Sequence, residues 1–194
     1  LLAYSTQIAT VTKKPLHAGR APLTDLLGPV FAAARERTGT RGAAAAENRA
    51  ALVALMLYVQ GVDVARLLGA PADARHRGRA RTLTLQGRAD FVQHFVISAG
   101  IAAAAGSRLA DEVGLFKELD DSRGGSGFSF TDLAANRAGV RFAETATGVN
   151  AAWVQARLAE GAEESFFMPK ATDLPECMAE GEFVRRCGGV GTPR

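Results

Sequence analysis

Residues 43–68 constrain the fold more than any other stretch. From Ala50 onward this segment is apolar on nearly every face of a helix, and a helix apolar all round must be buried on several sides. Its longest apolar run, residues 50–59, falls well under the ~20 residues needed to cross a bilayer. It therefore reads as a core helix that needs other helices around it. Gly61 within it marks a bend or a close contact, and Gly69, Ala70 and Pro71 end it.

The rest of the chain supplies those partners. Leu26, Leu27, Val30, Phe31 and Ala34 recur at helical spacing, with Pro29 in the first turn or at a kink. The segment 37–42 reads as a linker. A third helix is predicted over 89–105, stopped by Gly106, and a fourth from Ser107 to Leu119 or Asp121. A fifth spans about 130–145, and a sixth 151–160 with Trp153. Alternation in RTLTL, residues 81–85, predicts one short strand without an evident partner. The predicted fold class is mostly α: a single-domain orthogonal bundle of about six helices with at most a short strand. Residues 1–20 are expected as an irregular, extended arm and 21–165 as the helical domain. Residues 166–194, with the FFMP motif and a short helix after Pro175, are expected as a tail packed on it.

Composition excludes little. The chain has 194 residues, 47% hydrophobic, with a formal charge of +3, which suits one domain with a sizeable core. Arg75, Arg77, Arg79 and Arg81 cluster around His76, but aromatic residues for base stacking are missing beside them. A solvated loop is the better reading, and nucleic acid is not expected as a partner. The N-terminus lacks the order of a signal peptide. As it begins without Met, a trimmed or mature form is expected, which leaves an exported, periplasmic or secreted location open. Cys177 and Cys187 would need a turn between them, for which Gly181 is available, to form a disulfide. A bridge and two free thiols both remain open.

The most punctuated stretch is DSRGGSGFSFTDLAANRAGVRF, residues 121–142. Ser129 followed by Asp132 predicts a capping box, and Phe128 with Leu133 a hydrophobic staple. The glycines at 124, 125 and 127 could also form an anion nest, although the phosphate-loop lysine signature is missing.

Three successive helices carry polar stripes. Asp90, His94 and Ser98 share one face of the third, Glu118 and Asp121 one face of the fourth, and Asp132 and Asn136 one face of the fifth. Gly114 and Gly139 lie on the same faces of the last two. Buried ionisable groups must be paired, so these stripes are expected to meet. Three outcomes are open. One is a satisfied core network, with the protein acting as a non-catalytic interaction domain. The second is an acid–base site of hydrolase type, with His94 as base, Glu118 as acid of raised pKa and Asp132 orienting or capping. The third is one divalent cation held by His94, Glu118 and Asp121 or Asp132. Asp90, Ser98, Lys117, Asp121 and Asn136 are the expected binding residues around that centre. Neither HExxH nor GxSxG occurs, so zinc-peptidase and serine-nucleophile chemistry have no support.

At these residues the chain resembles the VanZ-like group of bacterial envelope proteins. The shared order is Asp90-x-x-x-His94-Phe95, then Lys117-Glu118 and an acid at Asp121, then Ser129-x-x-Asp132-Leu133-x-x-Asn136-x-x-Gly139, covering residues 90–142. The resemblance implies that His94, Glu118, Asp132 and Asn136 belong to one site. It also implies a cell-envelope setting, with an envelope component or small molecule as substrate and a protein as a further partner. Typical members are membrane-embedded, so this chain would be a version without a span.

Overall fold

The computed structural model describes residues 1–12, 19–41, 43–69, 82–124 and 127–188. Among them the chain is a mostly α-helical bundle. In chain order the elements are α1 (Leu2–Thr12), β1 (Arg20–Pro22), α2 (Thr24–Arg41), α3 (Ala44–Val59), α4 (Val64–Leu67) and β2 (Thr82–Thr84). There follow α5 (Ala89–Ala105), α6 (Ser107–Gly124), α7 (Phe130–Thr147), α8 (Ala151–Ala159), a 3-10 turn (Glu164–Phe166) and α9 (Glu180–Cys187). No helix among the described residues is long and apolar enough to cross a membrane.

Helix α5 lies between α3 and α7, and two glycines set how closely. A Cβ on Gly100 would fall 2.4 Å from Met56 Cβ on α3, and one on Gly139 of α7 would fall 2.2 Å from the Phe95 carbonyl oxygen. At the second position two helix backbones are in contact, which only glycine permits. Phe95 meets Phe142 and Phe167 at ring-centroid distances of 5.5 and 5.2 Å. Aromatic pairs of this geometry add about 0.5–1.5 kcal/mol each beyond area burial. Phe167 belongs to the FFMP motif, so this part of the tail is core.

Further along the tail, Met178 and Phe183 dock on the start of α7. Phe128 and Met178 exchange backbone hydrogen bonds of 2.7 and 2.9 Å, and the Phe128 and Phe183 rings stack at 4.2 Å. Leu133 packs against the same small cluster, as a hydrophobic staple requires. Cys177 and Cys187 are free thiols.

Several elements differ from the sequence expectation. The N-terminal arm is helical over Leu2–Thr12, where Tyr4, Ile8 and Ala9 are buried. Its threonines have low intrinsic helix propensity, but Thr6, Thr10 and Thr12 each donate a hydroxyl to a carbonyl four residues back. Tertiary burial then decides the conformation. The expected linker at 37–42 is helical up to Arg41. Arg37 there donates to Glu47 at 2.8 Å, and Tyr4 donates to the same oxygen at 2.6 Å. This tie joins α1, α2 and α3 and favours an extended α2. The core helix ends at Val59, because Gly61 adopts φ +70°. Asp63 then caps α4 by accepting from the Arg66 amide at 3.0 Å. The isolated strand has a partner after all: β2 pairs in parallel with β1, Ala21 opposite Leu83. The arginine run at 75–79, with His76, and Arg81 lie outside the described residues.

Candidate functional site

Helices α5, α6 and α7 bring one stripe each to a common centre. His94 and Ser98 stand one turn apart on α5, and Asp132 and Asn136 one turn apart on α7. Glu118 reaches in from α6. The Gly139–Phe95 backbone contact holds α5 against α7 at this level. Gly114 on α6 makes room for Asn136, whose Nδ2 would lie only 3.0 Å from a Cβ there.

Asn136 is the hub. Its Oδ1 accepts from His94 Nδ1 at 3.1 Å and from Ser98 Oγ at 3.0 Å. With an acceptor facing Nδ1, that nitrogen carries the proton, and in the neutral ring Nε2 presents its lone pair. Nε2 points to Asp132, 3.3 Å from Oδ2.

Glu118 is fully buried, with 0% exposure. Its Oε2 accepts from the Ser129 backbone N–H at 3.0 Å. Lys117 Nζ stands 4.0 Å from Oε1 but contacts Asp121 at 2.6 Å. Glu118 Oε1, Asp132 Oδ1 and Asn136 Nδ2 are buried without a hydrogen-bond partner. Such atoms each cost about 1–3 kcal/mol if nothing satisfies them. One nitrogen of His94 and one oxygen each of Glu118 and Asp132 lie within 4.8 Å of one another.

The electrostatics follow from this crowding. Burial opposes a charged His94 ring, but the Asp132 carboxylate outweighs it and holds the imidazole above its ordinary pKa. Burial pushes the Glu118 carboxyl up; the Ser129 amide works against that shift, and the charge of Asp132 adds to it.

The predicted capping box does not form. Ser129 is the N-cap of α7, with φ −122° and ψ 110°, but its side chain makes no capping bond. The hydroxyl pairs with Thr131 Oγ1 at 2.8 Å. Glu118 from the neighbouring helix takes the Ser129 N–H that a capping-box acid at Asp132 would have taken. Asp132 is thereby left to face His94.

Of the sequence-nominated residues, His94, Ser98, Glu118, Asp132 and Asn136 come together, with Lys117 at the rim. Asp121 sits beside Lys117, and the cluster of metal-ligating groups contains Asp132 in its place. Asp90 belongs elsewhere: it pairs with Arg88, which also bonds Glu176 of the tail and lies over the Phe91 ring. The Arg88 guanidinium lowers its pKa against the opposing pull of burial. Sequence reading missed the Ser129 amide as a holder of Glu118, because a backbone donor leaves no side-chain signature.

No protein-family model matches this chain, and neither a curated protein nor a solved structure does.

Proposed function

We propose that this chain is a hydrolase-type protein whose site, formed by α5, α6 and α7, activates water against an envelope-derived substrate. The observation that carries the reading is the convergence of His94, Glu118 and Asp132 with two buried carboxylate oxygens left without partners. A purely structural network satisfies its buried polar atoms; this one leaves three orphaned at a single place. Side-chain exposures of 11% for His94 and 15% for Asp132 put both at a rim that water can reach, with Glu118 behind them. In hydrolysis the water oxygen bonds the electrophilic centre as its proton passes to a group of this cluster; the bond from that centre to the leaving group breaks, and the leaving group keeps the electron pair and takes up a proton. The envelope origin of the substrate rests on the VanZ-like resemblance of residues 90–142.

The test is a panel of ester, phosphoester, amide and glycoside substrates, together with bacterial envelope fractions, offered to the full chain. Turnover by the parent protein is expected to fall by about 100-fold or more in His94→Ala and Glu118→Gln, with circular dichroism showing both variants folded. Absence of turnover across the panel, or equal turnover in folded variants, overturns the reading.

A further inference from the structure

We infer that His94 Nε2 and the carboxylates of Glu118 and Asp132 form a three-residue binding site for one divalent first-row transition cation per chain. This deepens the hydrolytic reading by naming what activates the water, and it rests on the same three residues.

One ring nitrogen of His94 and one oxygen of each carboxylate lie within 4.8 Å of one another, and Nε2 is 3.3 Å from Asp132 Oδ2. Bonds of about 2.0–2.2 Å to a single ion place ligands roughly 3–4 Å apart, so a modest side-chain contraction closes the site. Acidic groups crowd together on many protein surfaces without an ion; here Glu118 is wholly enclosed and its Oε1 has no partner. Two carboxylates and a neutral imidazole carry about two negative charges, which a dication neutralises.

Each ligand also has the supporting contact that metal sites use to orient their donors. His94 Nδ1 donates to Asn136 Oδ1, which turns Nε2 toward the centre, 3.3 Å from Asp132 Oδ2. The Ser129 amide holds Glu118 through Oε2. Asp132 is released for the centre because Glu118 replaces it at the head of α7. Ser98 fixes Asn136 in turn at 3.0 Å.

One imidazole among oxygen donors suits manganese, iron, cobalt or zinc better than magnesium or calcium, which take oxygen ligands. Three protein ligands leave positions for water on the side where His94 and Asp132 reach the rim. An ion with an open position lowers the pKa of bound water and supplies the nucleophile.

The experiment is calorimetric titration of the chelator-dialysed full chain with manganese chloride, and separately with cobalt chloride followed by visible absorption. One site per chain is expected, with cobalt bands reporting a nitrogen–oxygen donor set. His94→Ala, Glu118→Gln and Asp132→Asn should each weaken binding by about tenfold or more, and Asn136→Ala by about 10–100-fold through the released imidazole. Asp173→Asn, which alters an exposed acid of the tail paired with Lys170, should leave affinity within about twofold, the scatter expected of a group that is not a ligand. No saturable binding to the folded parent protein overturns the inference, and so does binding that the three folded ligand variants do not weaken. Saturable binding without turnover across the substrate panel leaves the cation site standing and removes the hydrolytic reading. No saturable binding, together with undiminished turnover by the chelator-stripped protein, does the reverse.

Discussion

Replacing Glu118 with Gln is expected to stabilise the cation-free protein while removing its ability to bind a cation. Glutamine keeps a carbonyl oxygen for the Ser129 amide, now 3.0 Å from Oε2, and removes the buried charge whose Oε1 has no partner. Relieving one orphaned buried group is worth about 1–3 kcal/mol. Turning the charge-assisted Ser129 bond into a neutral one gives back about 1 kcal/mol. The net gain is about 0–2 kcal/mol, and for a chain of this length up to roughly 8 °C in Tm. The sign agrees with the raised Glu118 pKa, in which burial already outweighs the Ser129 bond. The assay is thermal and urea unfolding in chelator. Since the folded pKa lies above the ordinary one, the wild-type carboxyl gains stability as pH falls through it, and the variant has no such slope. The advantage of Glu118→Gln should therefore be greatest near pH 7.5 and shrink toward pH 4. A variant less stable than wild type by about 1 kcal/mol or more would refute the reasoning, because Glu118 would then be a satisfied structural acceptor.

Asp132→Asn should act in the opposite direction without cation. It removes the carboxylate that raises His94, a loss of about 1.5–3 kcal/mol for an interaction with a charged group, of which relief of the orphaned Asp132 Oδ1 gives back about 1 kcal/mol. That contribution is fully present below the ordinary histidine pKa and is lost as pH rises through the raised folded value, so the difference from wild type in urea unfolding should narrow above neutral pH. Gly139→Ala places a methyl 2.2 Å from the Phe95 carbonyl; a loss of about 3 kcal/mol or more, or failure to fold, is expected from backbone overpacking. Gly114→Ala brings a methyl within 3.0 Å of Asn136 Nδ2, the end of a side chain; it should cost about 1 kcal/mol in unfolding experiments yet weaken manganese binding by tilting the group that holds His94. A thiol reagent should titrate both cysteines of the unfolded chain, and in the native protein react faster with exposed Cys177 than with half-buried Cys187.

The parts of this fold that were legible are those in which local pattern and tertiary burial agree. Helix α5 runs from Ala89 to Ala105 as its apolar spacing and Gly106 dictate, and α7 begins at Phe130 behind Ser129. Legibility failed where a long-range contact overrode local chemistry. Nothing near residue 4 announces that Tyr4 will donate to Glu47 across the bundle, so a threonine-rich segment reads as an arm. The strand at 82–84 had no visible partner because that partner, residues 20–22, lies far away in the chain and is equally short.

The site divides along the same line. Four-residue spacing correctly puts His94 with Ser98 and Asp132 with Asn136, since a helix fixes such neighbours by geometry alone. Spacing also puts Asp90 on the His94 face, but a side chain at the first turn of a helix is free to turn outward, and Arg88 draws it there. For Asp132 the local motif pointed to a cap, and it was wrong because the cap donor was already taken. The Ser129 amide has one proton to give, and Glu118, excluded from water on α6, has the greater need of it. An acid that would have ended its work at a helix terminus is thus turned toward an imidazole. The competition for that single amide links the fold to the site: removing the Glu118 carboxylate with alanine should let Asp132 swing back to Ser129, visible in a crystal structure as a lost His94–Asp132 contact.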